Sequence, residues 1–288
     1  MTLTKILAYS VILFLTIGLL SCSSGNIEYK SPAGYDLNKG EKFFMPESLQ
    51  EISGIAFYKG QPDTMYAIQD EQGKLYYFPV GKKASTHLKF GKQADYEDLA
   101  ICNETVFILR SNGTLIDFPF NASKEPEIDE VTEWKDMLPK GEYESMYADN
   151  SDNKIYVLCK NCKDDKSSET VSGFIFQFMT GDSLVKSGNF SIDVSKIEAL
   201  SADKKINFRP SCFAKSPGTN EWFVISSINK MLVVLDAAWK VKEVHPLNPS
   251  FFRQPEGMAF DTNANLYISN EGDDLSGATV LKFVRATK

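Results

Sequence analysis

From residue 50 onward the chain alternates short apolar runs with polar turns, and the runs fall into sets of three. "EISGIAF" (51–57), "YEDLAI" (96–101), "YESMYA" (143–148), "RPSCFA" (209–214) and "PEGMAF" (255–260) open the five sets. A polar turn and a second run follow each: "TMYAIQD" (64–70), "TVFILR" (105–110), "KIYVLCK" (154–160), "EWFVISS" (221–227) and "NLYISNE" (265–271). The third runs are "KLYYFPV" (74–80), "TLIDFPF" (114–120), "GFIFQFM" (173–179), "KMLVVLD" (230–236) and "TVLKFV" (279–284). The runs are apolar on both faces, as sheets sandwiched between neighbours must be. No segment holds a 3.6-residue period over the length of a helix, which excludes a helical solenoid.

Aligned on Ser53, Glu97, Glu144, Ser211 and Glu256, the sets recur at intervals of 44, 47, 67 and 45 residues. Three or four short strands every ~40–50 residues predict an all-β fold, a β-propeller, with five blades. The long interval contains "NCKDDKSSETVS" (161–172), which reads as a surface loop, and has too little apolar sequence for a sixth blade. "GYDLNKGEKFFMPESLQE" (34–51) parallels "VHPLNPSFFRQPE" (244–256). The segment before the first set is therefore expected to be an outer strand that completes the last blade, pins the ring shut and removes a sheet edge.

Core packing accounts for the apolar letters and turns account for Gly and Asn, but neither needs an acid at the head of a set. The first strand of each blade lines the channel of a propeller, so equivalent starting residues form a ring at one mouth. Glu97, Glu144 and Glu256 occupy that ring with Ser53 and Ser211, while Glu51 and Glu142 stand two positions earlier on the same side of a strand. The second strand returns antiparallel and delivers Asp70, Arg110, Lys160, Ser227 and Glu271 to the same mouth, with Glu71 adjacent. Crowded like charges raise one another's pKa and cost stability unless neutralised. One solution is calcium, which takes roughly 6–8 oxygen ligands. The other is internal ion pairing through Arg110, Lys160 and Arg209, leaving a hydrated channel without metal. No aspartate-rich loop of EF-hand type decides between them.

The N-terminus changes the setting. Lys5 precedes an apolar run from Ile6 to Leu20, and "LLSC" (19–22) follows, the layout of a secretory signal. The run is shorter than the ~20 residues of a spanning helix. Ending at a cysteine, it resembles a bacterial lipoprotein signal: residues 1–21 are removed and Cys22, carrying palmitate and other acyl chains, becomes the mature N-terminus on a membrane. An uncleaved anchor is the alternative. Residues 22–40 are then a lipidated linker and 41–288 the propeller domain. Ser24, second after the lipidated cysteine, favours the outer membrane, with the body facing the periplasm.

Loss of Lys5 takes the formal charge from −7 to −8. So acidic a body argues against nucleic acid and against electrostatic docking on anionic lipid. Of the remaining Cys102, Cys159, Cys162 and Cys212, "CKNC" at 159–162 begins where a strand is expected to end and invites a loop-bracing disulfide. A zinc half-site or a redox motif share that spacing, but the only histidines are His87 and His245 and no second ligand pair exists.

The five heads, with "YAIQDE", "MLVVLD" and "NLYISNEG", resemble the SdiA-regulated, YjiK-like family of bacterial envelope proteins across nearly all of residues 41–285. The resemblance implies a five-bladed propeller, distantly like NHL-repeat and phytase propellers, with a calcium site among Glu51, Glu97, Glu144, Glu256 and Glu271. Cys212 departs from the family's more usual Gly and puts local backbone geometry near the channel in doubt. The expectation is a calcium-binding, non-catalytic envelope protein, a sensor, scaffold or binder of an unknown small molecule or protein. The alternatives are a calcium-dependent, phytase-like phosphoesterase, its metal flanked by Arg110, Lys160 and Arg209, and a protein-interaction platform. Ser53 and Ser211 have no histidine in a repeated motif, so a serine triad is unsupported.

Overall fold

The computed structural model describes residues 29–121, 125–128, 130–179, 183–203, 205–273 and 275–286. The signal segment and Cys22 lie outside the described residues. The strand β1 (Glu41–Phe44) comes first in the chain and last in the ring. Blade 1 holds β2 (Ile52–Phe57), β3 (Met65–Gln69), β4 (Lys74–Phe78) and β5 (Thr86–Lys89). Blade 2 holds β6 (Tyr96–Cys102), β7 (Thr105–Arg110), β8 (Leu115–Pro119) and β9 (Thr132–Trp134). Blade 3 holds β10 (Gly141–Asp149), β11 (Lys154–Cys162), β12 (Thr170–Met179) and β13 (Ser183–Asp193). Blade 4 holds β14 (Cys212–Lys215), β15 (Trp222–Ser226), β16 (Met231–Leu235) and β17 (Val241–Pro246). Blade 5 holds β18 (Pro255–Phe260), β19 (Leu266–Asn270) and β20 (Thr279–Phe283), and β1 completes it, antiparallel to β20 from Glu41↔Lys282 to Phe44↔Thr279.

The protein is thus a five-bladed β-propeller of four-stranded sheets, closed by its N-terminal strand. Every quoted apolar run is a strand. The outermost strands carried no such signal because solvent covers them: in β5 only Leu88 is buried, and in β9 no residue is. The core is five clusters, each filling one gap between neighbouring blades. Phe107 and Leu109 meet Val157 and Phe174; Tyr156 and Ile192 meet Phe213 and Val224; Ile225 and Leu232 meet Leu266 and Leu281. Ile55 and Ala67 meet Tyr267 and Val280, and Ile68 and Leu75 meet Val106 and Ile108. Packing on both faces of every sheet is the reason the strands are apolar throughout rather than alternating.

Three expectations need correction. The expected loop of 161–172 is shorter, seven residues at 163–169: β11 continues through Cys162 and β12 starts at Thr170. The polar ends of these long strands reach into solvent and carry loop-like composition. The extra length of the interval also supplies the eleven residues of β13 and a helix, α1 (Val194–Leu200), capped by Asp193 accepting from the Ser195 amide at 2.9 Å. At seven residues α1 is too short to show a 3.6-residue period. For the same reason "CKNC" lies inside β11 rather than after it. Finally, the described part of the expected linker is docked. Leu37 is buried, Tyr35 Oη donates to the Ala264 carbonyl at 2.6 Å, and His245 Nδ1 donates to the Lys30 carbonyl at 3.1 Å.

Candidate functional site

The mouth of the channel is shaped by a β-bulge in four of the five blades. The ladder between the first two strands slips between Ile52 and Ile55, Tyr96 and Asp98, Tyr143 and Ser145, and Pro255 and Gly257. The extra, unpaired residues therefore include Ser53, Glu97, Glu144 and Glu256. A bulge turns its extra side chain away from the ladder direction, and here each ring residue lines the channel mouth. On β11 the register slips again between Cys159 and Asn161, opposite Glu142 and Tyr143, leaving Lys160 unpaired in the ladder. Lys160 makes a close ion pair with Glu144 and a second, at 3.2 Å, with Glu142.

Close approach of the innermost strands holds the bulges together. A Cβ on Gly54 would meet Asp98 Oδ1 at 2.3 Å, and one on Gly257 would meet the Ser53 carbonyl at 2.4 Å. Asp98 is buried and accepts from the amides of Leu99 at 2.8 Å and Met146 at 2.7 Å, tying blade 2 to blade 3. Ser211 Oγ donates to the Pro255 carbonyl and Ser269 Oγ to the Ser53 carbonyl, at 2.8 and 2.9 Å. Cys212, in the slot held by Gly54 and Gly257, is buried in the core between blades 4 and 5.

One pocket of about 470 Å³ occupies this mouth. It gathers all five ring positions, Ser53, Glu97, Glu144, Ser211 and Glu256, with Asp70, Lys160, Ser227 and Glu271 from the second strands, and Arg209. Four residues named from sequence stand outside it, one of them Glu142, which pairs with Lys160. Glu51 is exposed at the rim, accepting from Gln69 Nε2 at 3.3 Å. Glu71 is exposed and lines a neighbouring groove. Arg110 is drawn outward, its Nη1 3.5 Å from Glu133 on β9 and its guanidinium over the Tyr96 ring. Asp95, Lys230, Arg253 and Gln254 line the pocket without having been singled out. The two-residue offset that flagged Glu51 and Glu142 would also have found Asp95 and Gln254. Lys230 and Arg253 sit on turns and offered no such signal.

The carboxylates pay for their company. Burial lifts Glu97 to about 8, with Asp95, Glu256 and Asp70 adding repulsion against the pull of Lys160. Burial and the charges of Glu256, Asp70 and Glu51 lift Glu271 to about 8. Glu256 is pushed up to about 7, chiefly by burial, with Lys160 opposing, and Asp70 to about 6 by burial, Glu51 and Glu71. Asp70 Oδ1 is buried without a hydrogen-bond partner.

These hard oxygen donors, one of them orphaned, match the chemistry of a divalent cation such as calcium. Asp70, Glu97, Glu256 and Glu271 would hold it, since Lys160 already neutralises Glu144. Among the described residues, the one group of three ligand atoms lying within 4.8 Å of one another is elsewhere, at Cys159, Cys162 and Asp165. The mouth would therefore hold a cation that keeps water or shares an outside ligand, not one in a closed protein cage. Cys159 and Cys162 are joined by a disulfide, S–S 2.02 Å, so those sulfurs are not thiolate ligands in this state. Cys102 and Cys212 are free and buried. The opposite channel mouth is a smaller pocket of about 250 Å³, lined by apolar residues such as Phe57, Ile101 and Phe260. Neither histidine lines the charged mouth: His87 is beside Tyr76 on the outer strand and His245 bonds Glu243.

No family model matches the chain, and no curated protein matches it by sequence. Solved structures do. The glutaminyl cyclase of Myxococcus xanthus superposes with a TM-score of 0.56 at 12% identity, covering 86% of this chain and 96% of that one. A luciferin-regenerating enzyme superposes with a TM-score of 0.54 at 8% identity, covering 85% and 95%. At such identity the likeness is one of fold, and the fold it shows is the β-propeller.

Proposed function

We propose that this chain is a lipid-anchored propeller of the bacterial cell envelope, held by Cys22, whose charged mouth binds a divalent cation, calcium by donor type, in a binding rather than catalytic role. The observation that carries the reading is the convergence of Asp70, Glu97, Glu256 and Glu271 on one pocket with pKa values raised to between about 6 and about 8. Carboxylates held in such proximity are stabilised by a bound cation. The lipoprotein-like "LLSC" and the resemblance to SdiA-regulated, YjiK-like proteins support the envelope setting.

A ligand that binds only the native state must raise its stability. With calcium at about 100 times its Kd the gain is ~2.7 kcal/mol, or roughly 5–10 °C in Tm for a domain of this size. Thermal unfolding in millimolar calcium against EDTA reads this directly. An unchanged Tm overturns the cation reading. The phosphoesterase alternative is separated by incubating the protein with inositol hexakisphosphate and calcium. Turnover that disappears in Glu97→Gln would replace the binding role with catalysis.

A further inference from the structure

The charges of the mouth are sorted. Going round the ring, blades 5, 1 and 2 contribute the acids Glu256 and Glu271, Asp70, Asp95 and Glu97, and the cation at the entry to blade 5, Arg253, is paired with Asp273 at 3.0 Å. Blade 4 contributes no acid. Its ring position is Ser211, its second strand is followed by Ser227, and Arg209 and Lys230 flank them. Among the described residues neither Arg209 nor Lys230 makes a salt bridge, Lys230 feeling Glu256 only at longer range, and Arg209 Nε is buried with no hydrogen bond. Lys230 donates only to the Arg253 carbonyl. Arg209 is half-buried with its Nε hydrogen unanswered, and such a donor is best met by an oxyanion, which a guanidinium fork binds with charge-assisted hydrogen bonds. At about 470 Å³ the space is far larger than one ion.

We propose that the mouth seats a small bipolar organic ligand, its phosphate or carboxylate group against Arg209 and Lys230, and its ammonium group against Glu271 and Asp70. This deepens the cation reading by naming what the acidic half meets, but it needs no metal: an ammonium group supplies the positive pole.

The test uses a matched set in EDTA, the probes being 4-aminobutyl phosphate, butyl phosphate and butylamine, with affinities from calorimetry. The expected result is that the two-pole probe binds roughly ten-fold or more tighter than either one-pole probe, about 1.4 kcal/mol per decade. Arg209→Gln should remove most of the advantage over butylamine, and Glu271→Gln most of the advantage over butyl phosphate. Lys230→Gln, on a solvent-facing turn, repeats the first arm should Arg209→Gln fold poorly. Equal binding of all three probes, or no binding of 4-aminobutyl phosphate, overturns the proposal. Calcium alone, titrated against the wild type, reports on the cation reading separately, so either idea can fail without the other.

Discussion

Glu97 sets the pH behaviour of the mouth. Its folded pKa of about 8 lies above the ordinary Glu value of 4.5. A raised folded pKa means that the group's contribution to stability is fully present below about 4.5 and is lost as pH rises through about 8. Glu271, also near 8, adds to the same slope. In EDTA, Tm should therefore fall between pH 5 and pH 9. Glu97→Gln, which cannot ionise, should make that fall smaller. A variant whose Tm falls as steeply as the wild type would show that Glu97 does not titrate in this range. Glu144 is held in an ion pair by Lys160. At this scale the repeat brought Glu97, Glu144, Glu256 and Glu271 to one mouth. It did not say that Arg110 would turn to Glu133 or that Glu51 would stay at the rim, because both depend on side-chain partners in other strands.

Among the elements, β11 carries the device that places a cation in the mouth. Cys159 faces Tyr143 across the ladder and Cys162 faces Gly141, so the disulfide spans the slip that frees Lys160. It braces a bulge within a strand rather than a loop. Breaking it in Cys162→Ser should cost about 2 kcal/mol, the low end for so short a closed loop. The checking measurement is the guanidinium midpoint against that of the wild type, repeated with the wild type under reductant, which should approach the variant. Equal midpoints would mean that hydrogen bonding alone holds the bulge. A spacing of two intervening residues invited a disulfide, but the alignment of strands that makes it a brace for Lys160 is a property of the paired sheet.

Across the whole molecule, stability rests on closing the ring. β1 supplies the outer strand of blade 5, and Leu37 and Tyr35 dock against the core between blades 4 and 5. Deleting residues 29–44 should uncover the β20 edge, lower Tm by several degrees and make the protein prone to aggregate. Calorimetry with light scattering checks this, and an unchanged Tm in a soluble truncation would show that the ring closes without its latch. The chain's own text determined the architecture, because sheets buried on both faces must be written as apolar runs and each blade must write them again. From that recurrence the blade number, the closing strand and the acids of the ring could be read. What only the tertiary structure decided is where charge gathers. One-residue slips in the ladders, invisible in a pattern of period two, turn Glu97, Glu144, Glu256 and Lys160 into the channel. The gathering of acids from blades 5, 1 and 2 opposite Arg209 and Lys230 of blade 4 exists only once residues some two hundred positions apart become neighbours around one axis.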